Sequence, residues 1–138
     1  MSAAEIRWVS DSVVLALHDQ QLAEHGGASG IRDKSLLLSA LARPRTIAIF
    51  TNLDLADPAA AYAVGIARNR AFVDGNKRTA FVVAAGVFLP INGYELTAAN
   101  EEIVRVMLAV ADGTLPEVAL AAGFREWMRP IPAENRAP

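Results

Sequence analysis

Residues 76–89 read Asn-Lys-Arg-Thr-Ala-Phe-Val-Val-Ala-Ala-Gly-Val-Phe-Leu, a helical stretch that is apolar on nearly every side beyond Arg78. A helix of this kind is stable in water only when other elements surround it. Its apolar run, Ala80 to Leu89, is about half of the roughly 20 residues that a membrane span requires. The stretch therefore predicts an all-α fold, a compact bundle of about six helices around a buried central helix at about 76–89.

The rest of the chain supplies partners for it. Ser10 or Asp11 is positioned to cap a first helix to about Glu24, with Val13, Val14, Leu17 and Leu22 inward and Gly26-Gly27 as its stop. Asp33 caps a second helix that carries Leu36, Leu37, Leu38 and Leu41 and is expected to end before Pro44. The connecting loop, Gly26–Arg32, holds three glycines but lacks the strand-then-helix frame of a phosphate loop, so it reads as a helix–helix connection.

Residues 45–56 are the least helical of the body. Thr46, Ile47, Ile49, Phe50 and Thr51 have strand chemistry and Asn52 offers a turn, which suggests a short flap or hairpin. Asp57-Pro58 opens a third helix to about Asn69, with Tyr62, Gly65 and Ile66 on one face. Pro90 and Asn92-Gly93 end the fourth helix, and Tyr94–Leu96 is a short extended link. Thr97 or Asn100 caps a fifth helix to Ala111, and Thr114–Glu117 has the pattern of a capping box before a last helix to about Met128. One domain over 1–129 and a disordered tail over 130–138 are expected.

Charge is distributed oddly at one place. Lys77 and Arg78 stand where the turn Asp74-Gly75-Asn76 opens into the apolar helix, facing the positive end of its dipole. That arrangement costs about 0.3–1 kcal/mol per exposed cation. It is repaid where an anion sits at the helix start, since the backbone N–H groups there already favour phosphate. The plainer reading is two solvated charges at a helix end.

Composition narrows the chemistry further. The net charge of −2 provides no basic field for nucleic acid, so no direct nucleic-acid partner is expected. The absence of cysteine excludes disulfides, thiolate metal sites and thiol nucleophiles. The two histidines, His18 and His25, are too few for a histidine metal site and are placed on the polar face or C-terminal end of the first helix. No secretory leader or membrane segment is read, so a cytoplasmic location is expected.

The segment Arg70-x-Phe72-x-Asp74-Gly75-Asn76-Lys77-Arg78 resembles the signature of the Fic/Doc proteins, His-x-Phe-x-(Asp/Asn)-(Gly/Ala)-Asn-Lys-Arg. Leu17-His18-Asp19, Glu24-His25-Gly26-Gly27 and Asn92–Leu96 are similar to the Doc ("death on curing") branch. Members that transfer AMP typically have Gly after the motif Asn and a second Arg three residues beyond the first. This chain has Lys77 and Phe81 there, as Doc does.

The resemblance implies a toxin of a toxin–antitoxin pair that passes the γ-phosphate of ATP to a protein hydroxyl on an elongation factor Tu-like target. A small Phd-like antitoxin would restrain it. It implies Gly75, Asn76, Lys77 and Arg78 as the triphosphate site, Asp74 as the Mg²⁺ ligand, Phe72 as an anchor packed in the core, and Thr46, Ile47, Ala48 and Ile49 as a flap that binds the target by strand addition. AMP transfer and a non-catalytic binding module are the alternatives.

One position departs from the signature. The family's His takes the proton from the acceptor hydroxyl, and Arg70 stands in its place. A guanidinium has no lone pair for a proton near neutral pH. An inactivated form, a natural pseudoenzyme and residual catalysis through another base are the three explanations open at this point.

Overall fold

The computed structural model describes residues 5–51 and 54–135. Among these the chain forms α1 (Asp11–His25), α2 (Lys34–Phe50) and α3 (Ala56–Asn69). One continuous helical stretch follows, made of α4 (Asn76–Phe81), a π-helical segment (Val82–Phe88) and α5 (Leu89–Ile91). After the strand β1 (Tyr94–Leu96) come α6 (Asn100–Asp112), α7 (Glu117–Trp127), β2 (Met128–Pro130) and a 3₁₀ turn, Ala133–Asn135. With 76–91 taken as one helix, six helices make up the fold, which is all-α as expected.

The most enclosed helix is α3 rather than the 76–89 stretch. From Ala56 to Ala67 every residue except Asp57 is buried. Six alanines and a glycine in that span let neighbours approach closely on all sides. At Gly65 an added Cβ would stand only 3.2 Å from the Ala40 Cβ of α2, so the two helices meet backbone to backbone. The 76–91 stretch packs against α1, α3 and α6. Its Val82, Ala85 and Gly86 are left at least partly open, because that apolar side lines a groove instead of a core. Trp8 stacks on Phe88, and Tyr62 accepts the Val9 N–H at 3.0 Å, fastening the segment before α1 to the centre.

Ser10 and Asp33 cap α1 and α2 as read, accepting the N–H groups of Val13 and Leu36. Pro44 does not end α2. It is buried inside the helix, which continues to Phe50 and sacrifices only the bond its missing N–H would have made. Thr46, Ile47, Ala48 and Ile49 therefore form the last turns of α2, with Ala48 in the core. Packing along α3 overrides their strand propensity. The flap expected at 45–56 is not formed by residues 45–50, whose backbone bonds are committed to the helix; Asn52 lies outside the described residues.

Pro90 likewise lies within a helix, at the second residue of α5. It cannot donate to the Gly86 carbonyl, and the preceding turns widen so that Leu89 donates to Ala84, five residues back. The capping box before α7 is not made: Thr114 bonds Asp112, and Glu117 forms a two-pronged pair with Arg43 of α2. At the C-terminal end β2 pairs antiparallel with β1, the Ile131 N–H reaches the Gly93 carbonyl, and the 3₁₀ turn Ala133–Asn135 follows.

Candidate active site

Helix α3 ends at Arg70, which takes the left-handed conformation (φ 51°, ψ 47°) and turns the chain into the loop 71–75. The side chain of Arg32 closes this helix end. Its Nε donates to the Arg70 carbonyl at 2.7 Å and its Nη2 to the Asn69 carbonyl at 3.1 Å, placing a cation at the negative end of the α3 dipole.

The glycine-rich loop before α2 runs beside the 71–75 loop as a short antiparallel ladder. The N–H groups of Arg32 and Asp33 donate to the Ala71 carbonyl, and Val73 donates to Gly30 at 3.0 Å. Asp33 is fixed here too: the Ser35 hydroxyl and the Leu36 N–H hold its carboxyl below the usual carboxylate range. Ala28 N–H reaches the Asp74 carboxylate at 3.3 Å. Gly27 takes φ +127°, and a Cβ there would lie 2.9 Å from Asp74 Oδ2, so a side chain would strain the backbone and displace the Asp74 carboxylate. The loop read as a plain connection is thus the scaffold of the site.

Within the loop, Phe72 is fully buried. Asn76 is engaged differently from the phosphate-ligand expectation. Its Oδ1 accepts the Phe72 N–H at 3.1 Å and its Nδ2 donates to the Phe72 carbonyl at 3.0 Å, so the amide clamps the loop and keeps one N–H. Gly75 takes the left-handed conformation that opens α4 (φ 77°), and its N–H donates to Asp74 Oδ1 at 2.9 Å. His18, expected on the polar face of α1, is instead buried beneath the loop. Its ring stacks on Phe72 at 3.7 Å and its Nε2 meets the Asp74 carbonyl at 2.7 Å. The Leu17-His18-Asp19 likeness to Doc was the sequence signal for it. His25 is exposed at the end of α1, 3.9 Å from Glu24.

Arg70, Lys77 and Arg78 are exposed and no carboxylate pairs with them among the described residues. With Arg32 they line one end of a groove of about 1670 Å³. The groove continues between the 76–91 helix and α6, past Phe81, Val82 and Gly86 on one wall and Val104, Met107 and Leu108 on the other. Phe81 itself is buried, edge-on to Phe124 at 6.1 Å, so no third cation rises from that helix turn. Thr46–Ile49 take no part in the groove wall and lie about 20 Å along α2 from its start beside Ala71.

A family model described as "Fic/DOC family" matches residues 8–88, more than half of the chain. The chain belongs to the Fic/Doc family. It is similar to a protein named "Toxin Doc" of Mycolicibacterium smegmatis, 48% identical over 75 residues, covering 53% of this chain and 57% of that one. It is also similar to "Protein kinase doc" of Escherichia phage P1, 29% identical over 121 residues, covering 87% of this chain and 94% of the phage protein. The chain thus spans little more than half the length of the first relative and nearly all of the second.

In this Fic/Doc chain no group of three or more His, Asp or Glu side chains is placed to hold a metal among the described residues. Asp74 offers an exposed carboxylate beside the cations, with two of its lone-pair positions used by Gly75 and Ala28. That fits Mg²⁺, which commonly binds through one carboxylate together with substrate phosphates. No helix among the described residues is long and apolar enough to cross a membrane.

Proposed function

We propose that this chain is a Doc-type toxin domain built to transfer the γ-phosphate of ATP to a hydroxyl of a translation factor resembling elongation factor Tu. In the form described, binding is retained and transfer is impaired by Arg70. A Phd-like antitoxin is its restraining partner, and the cytoplasm its place of work. The observation that carries this reading is the pair of exposed cations, Lys77 and Arg78, which no carboxylate pairs among the described residues, on the first turn of α4 at the mouth of the groove.

That turn has N–H groups at 76–78 with no intrahelical acceptor. Together with Lys77 and Arg78 they stabilise negative charge on a triphosphate, the main task in phosphoryl transfer. Asp74 would hold Mg²⁺, which supplies charge neutralisation between the phosphates. Phe81 is committed to the core against Phe124, which leaves the site without the second arginine of the AMP-transferring members and favours γ-transfer over AMP transfer.

In the transfer the acceptor oxygen bonds to the γ-phosphorus while the bond from that phosphorus to the β,γ-bridging oxygen breaks, releasing ADP. The acceptor proton must go to a base. Arg70 points this reading toward binding without efficient turnover, because a guanidinium has no free lone pair to take the acceptor proton. Loss of a general base lowers rates by about 10²–10⁴.

The test uses the Arg70→His variant with ATP labelled separately at the α- and γ-phosphates and a cell lysate as acceptor. Label from the γ position on a protein supports this reading. Label from the α position means AMP transfer, and no label from either means a binding module.

A further inference from the structure

We infer that His18 is a positioning residue that locks the Asp74–Gly75 peptide of the phosphate-binding loop, an inference that rests on the reading of Asp74–Arg78 as a triphosphate site. His18 lies on α1, more than fifty residues from the loop in sequence, and is 3% exposed. It meets the loop at three successive points. Its ring lies parallel to Phe72, with centroids 3.7 Å apart and planes 9° apart. Its Nε2 stands 2.7 Å from the Asp74 carbonyl. Its edge underlies Gly75, where a Cβ would sit 3.6 Å from Cδ2 and Nε2.

A carbonyl oxygen only accepts, so Nε2 carries the proton in this contact. The peptide unit between Asp74 and Gly75 is then held at both ends. His18 binds its carbonyl, and the Asp74 carboxylate binds its N–H at 2.9 Å. The lock has a purpose because Gly75 populates positive and negative φ with similar ease, leaving this peptide free to rotate without it. Rotation would redirect the start of α4, from which the N–H groups at 76–78, Lys77 and Arg78 project. Phenylalanine at position 18 would fill the stack but leave the carbonyl unpaired. The hydrogen bond, rather than the apolar ring alone, is what the position requires.

The experiment compares the unmodified chain with His18→Phe, which keeps the stack, and His18→Gln, which restores an N–H donor. Mg²⁺·ATP is titrated calorimetrically and amide exchange is followed by NMR. His18→Phe is expected to bind at least tenfold more weakly and to exchange the Gly75 and Asn76 amides at least tenfold faster, and His18→Gln to recover most of both losses. Equal exchange in His18→Phe and the unmodified chain, or a glutamine variant no better than the phenylalanine one, overturns the inference. Nitrogen NMR of the unmodified chain gives a second test that needs no variant: a neutral His18 with its proton on Nδ1 contradicts it outright. Should the unmodified chain bind no Mg²⁺·ATP while the exchange difference stands, the nucleotide reading fails and the positioning role survives.

Discussion

The Asn76 side-chain amide closes a ring with the backbone of Phe72, accepting its N–H at 3.1 Å and donating to its carbonyl at 3.0 Å. Four residues apart, the two bonds give the loop a fixed shape before any ligand arrives. Both partly buried backbone groups lose their partner in Asn76→Ala, and each group left unsatisfied costs about 1–3 kcal/mol. Urea unfolding is expected to show Asn76→Ala less stable by at least about 1 kcal/mol. Asn76→Asp keeps only the acceptor and sets a carboxylate against a carbonyl, so it should lie no higher than the alanine variant.

Tyr62 joins the central helix to the segment before α1 through the Val9 N–H. Tyr62→Phe leaves that buried N–H unpaired and should lower stability by about 1–3 kcal/mol. Burial raises the Tyr62 pKa above its ordinary value near 10, more than the Val9 bond and the Arg45 charge lower it. For an acid held neutral in the fold, stability is fully present below the unfolded value and is lost as pH rises above it. The alkaline decline in stability above about pH 10 is therefore expected to be shallower in Tyr62→Phe, as read by melting temperature against pH.

Thr79, directly after Arg78 in the first turns of α4, has a buried hydroxyl with no hydrogen-bond partner among the described residues. A polar group in that state costs about 1–3 kcal/mol on mutational scales. Thr79→Val keeps the branched shape and removes the orphan, so its melting temperature should rise. A fall would show that the hydroxyl has a partner in solution.

Much of the fold was legible in the residues that cap and fill helices. Ser10 and Asp33 named two helix starts, and the apolar run after Arg78 required a surrounding bundle. Burial and hydrophobic bulk are different things: α3 is buried through alanines, which carry little sequence signal, while the bulkier 76–89 helix, with much of its surface buried, turns one apolar side to a groove. Proline ordinarily signals a helix end, yet Pro44 and Pro90 each sit in a helix whose packing outweighs a lost bond. At the site, Asp74, Gly75, Lys77 and Arg78 are neighbours in the motif itself, so their nearness is legible from the sequence. The contribution of Arg32 and the 26–32 glycines depends on contacts across tens of residues, which no local pattern encodes.

The central claim is that the phosphate site is formed and the base is absent. Arg70 holds a left-handed backbone conformation that histidine tolerates better than most side chains, so Arg70→His should keep the fold and its melting temperature. The decisive measurement is transfer of γ-labelled phosphate to protein by the unmodified chain and by Arg70→His, under the same Mg²⁺·ATP concentration. The account predicts a rate higher by about 10²–10⁴ in Arg70→His. Equal rates in the two forms would contradict it.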